Sequence, residues 1–186
     1  LFNASVVKEV AKCLYDYKGL PIVLDPVMFA KSGDRLIKKT AIEAIKKKLF
    51  PLATIVTPNI AEAAALVGRH LQSPKEIETA TLELCSLGPE AIVIKGGNLT
   101  TQTSDDCMVT KGSRLKWLKQ KRILTQNTHG TGCTFSSAIA SFLAQSYSIE
   151  DAVRLAKKYL TEALKAGSNM SIGKGKGPVM HFYKTW

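Results

Sequence analysis

The sequence predicts an α/β fold built on a mostly parallel sheet with an antiparallel edge. Two short, continuous apolar runs, at residues 22–24 and 91–94, have the length and composition of strands buried on both faces, and Thr54-Ile55-Val56-Thr57 reads as a further strand between them. Stretches of helical apolar spacing separate them, long enough for right-handed crossovers that cover a parallel sheet on both sides. With 186 residues, 45% of them hydrophobic, the chain can bury one sizeable core, so one domain over 1–186 is expected.

Each element has its own signal. Val6, Val7, Val10, Leu14 and Tyr17 recur at helical spacing, and Gly19, Leu20 and Pro21 end that pattern. Ile22, Val23 and Leu24 follow as the first strand, bounded by Pro21 and by Asp25-Pro26. Ile37, Ala41, Ile42, Ile45 and Leu49 mark a second amphipathic helix, residues 54–57 a second strand, and the segments starting at Asn59 and at Pro74 a third helical region. Ala91, Ile92, Val93 and Ile94 form the next buried strand, which runs into Lys95-Gly96-Gly97. From 105 to 125 the character changes: residues 107–110, a turn at Lys111-Gly112-Ser113, then residues 115–117 and 123–124 read as antiparallel strands at a sheet edge. Helices over about 132–145 and 149–166 complete the chain, the latter with Ala152, Val153, Ala156, Leu160, Ala163 and Leu164 on one face. The chain opens on a helix with no strand or glycine-rich turn before it, so a further portion is expected upstream.

Charge and cysteine usage narrow the function classes. The excess of 26 Lys and Arg over 15 Asp and Glu, a net +11, favours anionic partners. Much of it lies in Lys38, Lys39, Lys46, Lys47 and Lys48 around an apolar stripe, and in Lys174 and Lys176 of a glycine-rich tail. No aromatic residues alternate with these charges as a base-stacking platform requires, which fits solvated faces and no nucleic acid. No apolar run approaches the roughly 18 to 20 residues of a membrane span, and no leader pattern is present, so no membrane partner is expected. Cys13, Cys85, Cys107 and Cys133 include no C-x-x-C pair, arguing against a zinc site or a disulfide framework and for a reduced, cytoplasmic setting.

The strongest chemical signal is Asn127-Thr128-His129-Gly130-Thr131-Gly132-Cys133-Thr134-Phe135, which leads into an apolar helix. Gly130 and Gly132 flank a small hydroxyl residue, Thr131, so the backbone can turn sharply and leave consecutive N–H groups open to an anion at a helix N-terminus. Cys133 falls in the first helical turn, where thiol pKa values are commonly lowered. A glycine-rich helix start with a small cysteine fits the same spacing. In Thr57-Pro58-Asn59-Ile60-Ala61-Glu62, Asn59 and Glu62 are three apart, on one helical face, where a carboxylate can hold a hydrated Mg²⁺ beside polyphosphate. The same pair also reads as a capping box. Asp25 and Lys95 each follow a predicted strand directly, at the carboxyl edge where open α/β sheets bind ligands. Asp25 can steer a metal or start a turn, and Lys95 can pair with a phosphate oxygen or run out to solvent. Agreement in position among these signals points to a phosphoryl-transfer site.

Residues 24–34 (Leu-Asp-Pro-Val-Met-Phe-Ala-Lys-Ser-Gly-Asp), Thr57-Pro58-Asn59 with Glu62-Ala63, Lys95-Gly96-Gly97 and residues 129–134, in this order, resemble the hydroxymethylpyrimidine/phosphomethylpyrimidine kinases of thiamine biosynthesis. The tail over 173–182 is similar to that family's ending, so the resemblance runs nearly end to end. It implies a ribokinase-like three-layer α/β/α fold and phosphorylation, with ATP and Mg²⁺, of 4-amino-5-hydroxymethyl-2-methylpyrimidine and of its monophosphate. By the resemblance, Gly130, Thr131 and Gly132 form an anion hole, and Cys133 stands where many ribokinase-like enzymes have an aspartate base. Asp25 and Glu62 act with Mg²⁺, and Thr57, Asn59 and Lys95 contact phosphates. It also implies a small homo-oligomer. Family members carry an N-terminal strand, a Gly-Ser-Asp turn and much of the pyrimidine pocket ahead of the part matched here, which leaves the activity of this chain open. Pyridoxal kinase, which shares a similar Thr-Pro-Asn-x-x-Glu motif, and a non-catalytic remnant of the fold are the alternatives.

Overall fold

In a computed structural model, residues 1–17, 19–30, 33–97 and 102–185 are described, and they fall into two compact units, Leu1–Gln120 and Lys121–Trp186. The first unit holds a five-stranded sheet of order β1-β2-β3-β4-β5. β1 (Val23–Leu24), β2 (Ile55–Val56) and β3 (Ala91–Ile94) are parallel, with Leu24 beside Val56 and Val56 beside Ile92. β4 (Asp106–Thr110) and β5 (Lys116–Leu118) continue the sheet antiparallel. The parallel sheet and its antiparallel edge therefore stand as the sequence predicts. Residues 123–124 do not: they form no strand, and Leu124 is 83% exposed. An apolar pair this short fixes neither a register nor a partner, so propensity alone does not hold it in a sheet.

Burial explains why the apolar runs are continuous. All four residues of β3 are buried, so both of its faces are covered. Val56, Ile92, Ile94, Cys107 and Val109 lie on one face and share a core with α1 (Ala4–Tyr15), α2 (Lys39–Ala44), α3 (Ile60–Val67) and α4 (Pro74–Cys85). Ile55, Ala91, Val93 and Met108 are buried on the opposite face. In α1 the buried stripe is narrower than its spacing suggests: Val7 and Ala11 are buried, whereas Val6 is exposed and Tyr17 lies beyond the helix end.

The second predicted helix is interrupted. After α2 the backbone widens into a π turn over Ile45–Leu49, with Phe50 N–H donating to Ile45 O, and then tightens into a 3₁₀ turn over Phe50–Leu52. The five-residue step puts Ile45 and Phe50 on the same buried side and leaves Lys47 and Lys48 in solvent. α4 begins with a capping box, in which Ser73 Oγ accepts from Glu76 N–H and Glu76 Oε2 accepts from Ser73 N–H, with Pro74 at the first helical position.

The second unit contains α5 (Thr131–Ala144) and α6 (Ile149–Ala166), which pack against each other, and the tail. Ala152, Val153, Ala156, Thr161 and Ala163 are the buried residues of α6, small enough for a close approach. The tail returns beside the segment that enters α5, pairing His129 with Pro178 in a parallel bridge.

Candidate active site

In the first unit, the parallel register brings the carboxyl ends of β1, β2 and β3 side by side, and the predicted residues come with them. Asp25 follows β1, Thr57 follows β2, and Lys95 follows β3. Thr57 is buried, and its N–H donates to Leu24 O (2.9 Å). Lys95 N–H donates to Pro58 O (2.8 Å), an extension of β3 that bridges Asn59. From there the Lys95 ammonium reaches Asp25 Oδ1 at 2.9 Å, both side chains being 15% exposed.

Asn59 and Glu62 are a capping box as well as site candidates. Asn59 Oδ1 accepts from Glu62 N–H (2.9 Å), and Glu62 Oε2 accepts from Asn59 N–H (2.7 Å). Glu62 Oε1 accepts from Met28 N–H (3.3 Å), so the carboxylate ties the start of α3 to the loop after β1. Glu62 is 2% exposed. Burial pushes its pKa up; the Asn59 amide and the Lys95 charge pull it down, Asp25 pushes it further up, and the Met28 amide opposes that. Asp25, Glu62 and Lys95 therefore form one charged cluster at the sheet's carboxyl edge.

Asp25 Oδ2 is buried and has no hydrogen-bond partner among the described residues. An orphaned carboxylate oxygen beside a second carboxylate is a donor set that suits a hydrated divalent cation shared with phosphate oxygens. An all-protein cage is a poorer fit, since no group of three or more His, Cys, Asp or Glu side chains converges among the described residues. Lys31 and Ser32, part of the resembling stretch after β1, lie outside the described residues.

The second unit holds the other candidates. Gly130 is the N-cap of α5 at φ 84°, a left-handed conformation that glycine adopts without strain. Thr134 N–H closes the first turn on Gly130 O (2.8 Å). Thr131, Gly132 and Cys133 occupy the first three helical positions, whose N–H groups have no acceptor inside a helix. Among the described residues, the Gly132 and Cys133 amides have no acceptor elsewhere. Cys133 is exposed on that first turn. The arrangement is a cluster of free donors at the positive end of a helix dipole, suited to an anion.

Besides the Asp25–Lys95 pair, three contacts were not legible in the sequence: Met28 N–H on Glu62, Gly96 N–H on Asp106 Oδ1 (3.0 Å), and Thr134 Oγ1 on His181 Nε2 (2.9 Å). The first and last join residues 34 and 47 positions apart, beyond the reach of any local spacing rule.

A family model described as phosphomethylpyrimidine kinase matches residues 1–180. The hydroxymethylpyrimidine/phosphomethylpyrimidine kinase of Rhizobium meliloti is 43% identical over 169 residues, covering 90% of this chain and 63% of the relative. The thiamine biosynthesis bifunctional protein ThiED of Geobacter sulfurreducens is 41% identical over 181 residues, covering 97% of this chain and 36% of the relative. The chain thus spans 63% and 36% of the lengths of these two proteins. Among solved structures, the pyridoxal kinase from Staphylococcus aureus in complex with AMP-PCP superposes with a TM-score of 0.90 at 30% identity, over 100% of this chain and 66% of that one. No helix among the described residues is long and apolar enough to cross a membrane.

Proposed function

Because the chain belongs to the phosphomethylpyrimidine kinase family, we propose that it acts in the ATP-dependent phosphorylation of 4-amino-5-hydroxymethyl-2-methylpyrimidine and of its monophosphate, in the cytoplasm. The observation that carries this reading is the Asp25–Lys95–Glu62 cluster with its orphaned Asp25 oxygen, a combination of carboxylates and one ammonium that suits a metal–polyphosphate group. Phosphoryl transfer asks a protein mainly for alignment and charge neutralisation.

In the proposed reaction, the amides of Gly130, Thr131 and Gly132 receive the negative charge that builds up on the migrating phosphoryl group. Lys95 pairs with a phosphate oxygen, and Thr57 and Asn59 lie beside the phosphates. Asp25 and Glu62 would hold Mg²⁺, which when bound supplies positive charge to the phosphates. Cys133 is assigned to the substrate hydroxyl, as the group that takes its proton or fixes its direction.

A second reading is phosphorylation of pyridoxal, favoured by the close superposition on a pyridoxal kinase. A third is a fold that has lost its chemistry. ADP release from MgATP with the hydroxymethylpyrimidine, its monophosphate and pyridoxal separates them, alongside calorimetry for nucleotide binding. Turnover of the pyrimidines supports the first reading, turnover of pyridoxal alone the second, and absence of nucleotide binding the third. In an active preparation, Gly132→Asp places a carboxylate among the anion-binding amides and is expected to abolish turnover with the melting temperature preserved. Unchanged turnover removes those amides from the mechanism.

A further inference from the structure

We propose that the tail over residues 177–181 is a two-point clamp on the turn at the head of α5, and that His181 is a positioning residue for it. This inference rests on the reading of residues 130–133 as a phosphate site. The tail meets the turn at both of its ends. At the entry, His129 N–H donates to Gly177 O (2.9 Å), and His129 O accepts from Val179 N–H (3.3 Å). At the exit, Thr134 Oγ1 shares a hydrogen bond of 2.9 Å with His181 Nε2. Thr134 is also the residue whose N–H closes the first helical turn on Gly130 O. Five tail residues therefore span the turn and fasten the positions on either side of the free amides.

The clamp is itself anchored. Tyr159 Oη on α6 donates to His181 O (3.0 Å), and Val179 is buried. Two residues before His129, the buried Asn127 donates through Nδ2 to Gly167 O (2.6 Å) and Met170 O (2.7 Å), fastening the approach to the turn at the end of α6. The tail passes so close to Asn127 that a Cβ at Gly177 would overlap Asn127 Oδ1 and come within 2.7 Å of Cγ. Only glycine allows that approach.

A binding site made of backbone amides has no side chain of its own to keep its shape. Its donors point where the local φ and ψ angles send them, and Gly130, at φ 84°, and Gly132 are glycines, with a wide choice of those angles. Fixing His129 and Thr134 removes that choice, which is the preorganisation that an anion site needs in order to act without rearranging. An imidazole nitrogen suits the exit position because it can accept from or donate to a hydroxyl according to its tautomer.

The test compares wild type with H181A, H181Q, T134V and T134V/H181A, by MgATP calorimetry and by native-state hydrogen exchange at the His129, Thr134 and Val179 amides. H181A and T134V are each expected to weaken MgATP binding and to speed Thr134 exchange by about tenfold, with T134V/H181A no worse than either. H181Q, whose amide occupies nearly the place of Nε2, is expected to return both readouts to within about threefold of wild type. Wild type that binds MgATP, with H181A unchanged in affinity and exchange, overturns the clamp and leaves the phosphate reading standing. Losses in H181Q as large as in H181A also overturn it, since they would reflect packing alone. Wild type that binds no MgATP removes the phosphate reading, and this inference with it.

Discussion

Replacing Lys95 by methionine tests the charged cluster without requiring activity. The lysine stands 2.9 Å from Asp25, with both side chains 15% exposed, and its charge also acts on Glu62, which is 2% exposed. K95M keeps most of the aliphatic stem and removes the cation, leaving two carboxylates facing each other with less water than either needs. Removing one partner of a buried ion pair costs about 3–5 kcal/mol; the water that still reaches Asp25 and Lys95 puts the expectation at the lower end, about 3 kcal/mol. For a chain of this size that is a fall of about 6–12 °C in melting temperature. Urea unfolding followed by circular dichroism at pH 7 measures it. D25N/K95M removes the stranded charge as well and is expected to recover about 2 kcal/mol, a coupling that a double-mutant cycle isolates. The reasoning fails if K95M lies within about 0.5 kcal/mol of wild type, or if D25N/K95M is no more stable than K95M.

Two further outcomes follow from protonation. Burial raises the Glu62 pKa above its ordinary 4.5, so the native state holds a proton more tightly than the unfolded chain does. That contribution is complete below pH 4.5 and is lost as pH rises through the folded value; the stability of wild type relative to E62Q is therefore expected to fall with rising pH above 4.5, and a pH-independent difference contradicts it. Cys107 is buried beneath Thr81, and burial pushes its thiol up to about 11, whereas Cys13 and Cys133 are exposed. At pH 8 about one Cys107 in a thousand is a thiolate, so iodoacetamide should modify Cys13 and Cys133 in native protein and Cys107 only after unfolding, as read by peptide mass. Equal rates at Cys107 and Cys133 would contradict its burial.

What could be read in the sequence follows from the range of the interactions involved. β2 and β3 were visible because a strand buried on both faces must be apolar at every position, and α6 because an eighteen-residue stripe repeats its signal; β1 was visible as an apolar run too, but Val23 and Leu24 are only half-buried, so burial on both faces does not hold there. The break after α2 was not, since Ile45, Leu49 and Phe50 fit a helical stripe until the core demands a five-residue step. Residues 123–124 show the opposite error, an apolar pair with nothing to pair against. At the site, Asp25, Thr57 and Lys95 could be located because each directly follows a strand. Their partnership could not, because the Asp25–Lys95 contact spans 70 residues and only the sheet's register brings its ends together. Asn59 and Glu62 had two readings in the sequence, and the structure assigns them the capping box while also placing Glu62 in the charged cluster.

That double placement of Glu62 has a mechanical side. One carboxylate oxygen secures the first amide of the α3 entry and the other secures the chain at Met28, so the two attachments draw on a single delocalised charge. Whatever withdraws electron density from that group, whether a proton or a neighbouring ion, slackens both attachments together. The first turn of α3 and the loop at Met28 are thereby wired to report on the state of the cluster, and their amide resonances are where an arriving ligand would first be heard.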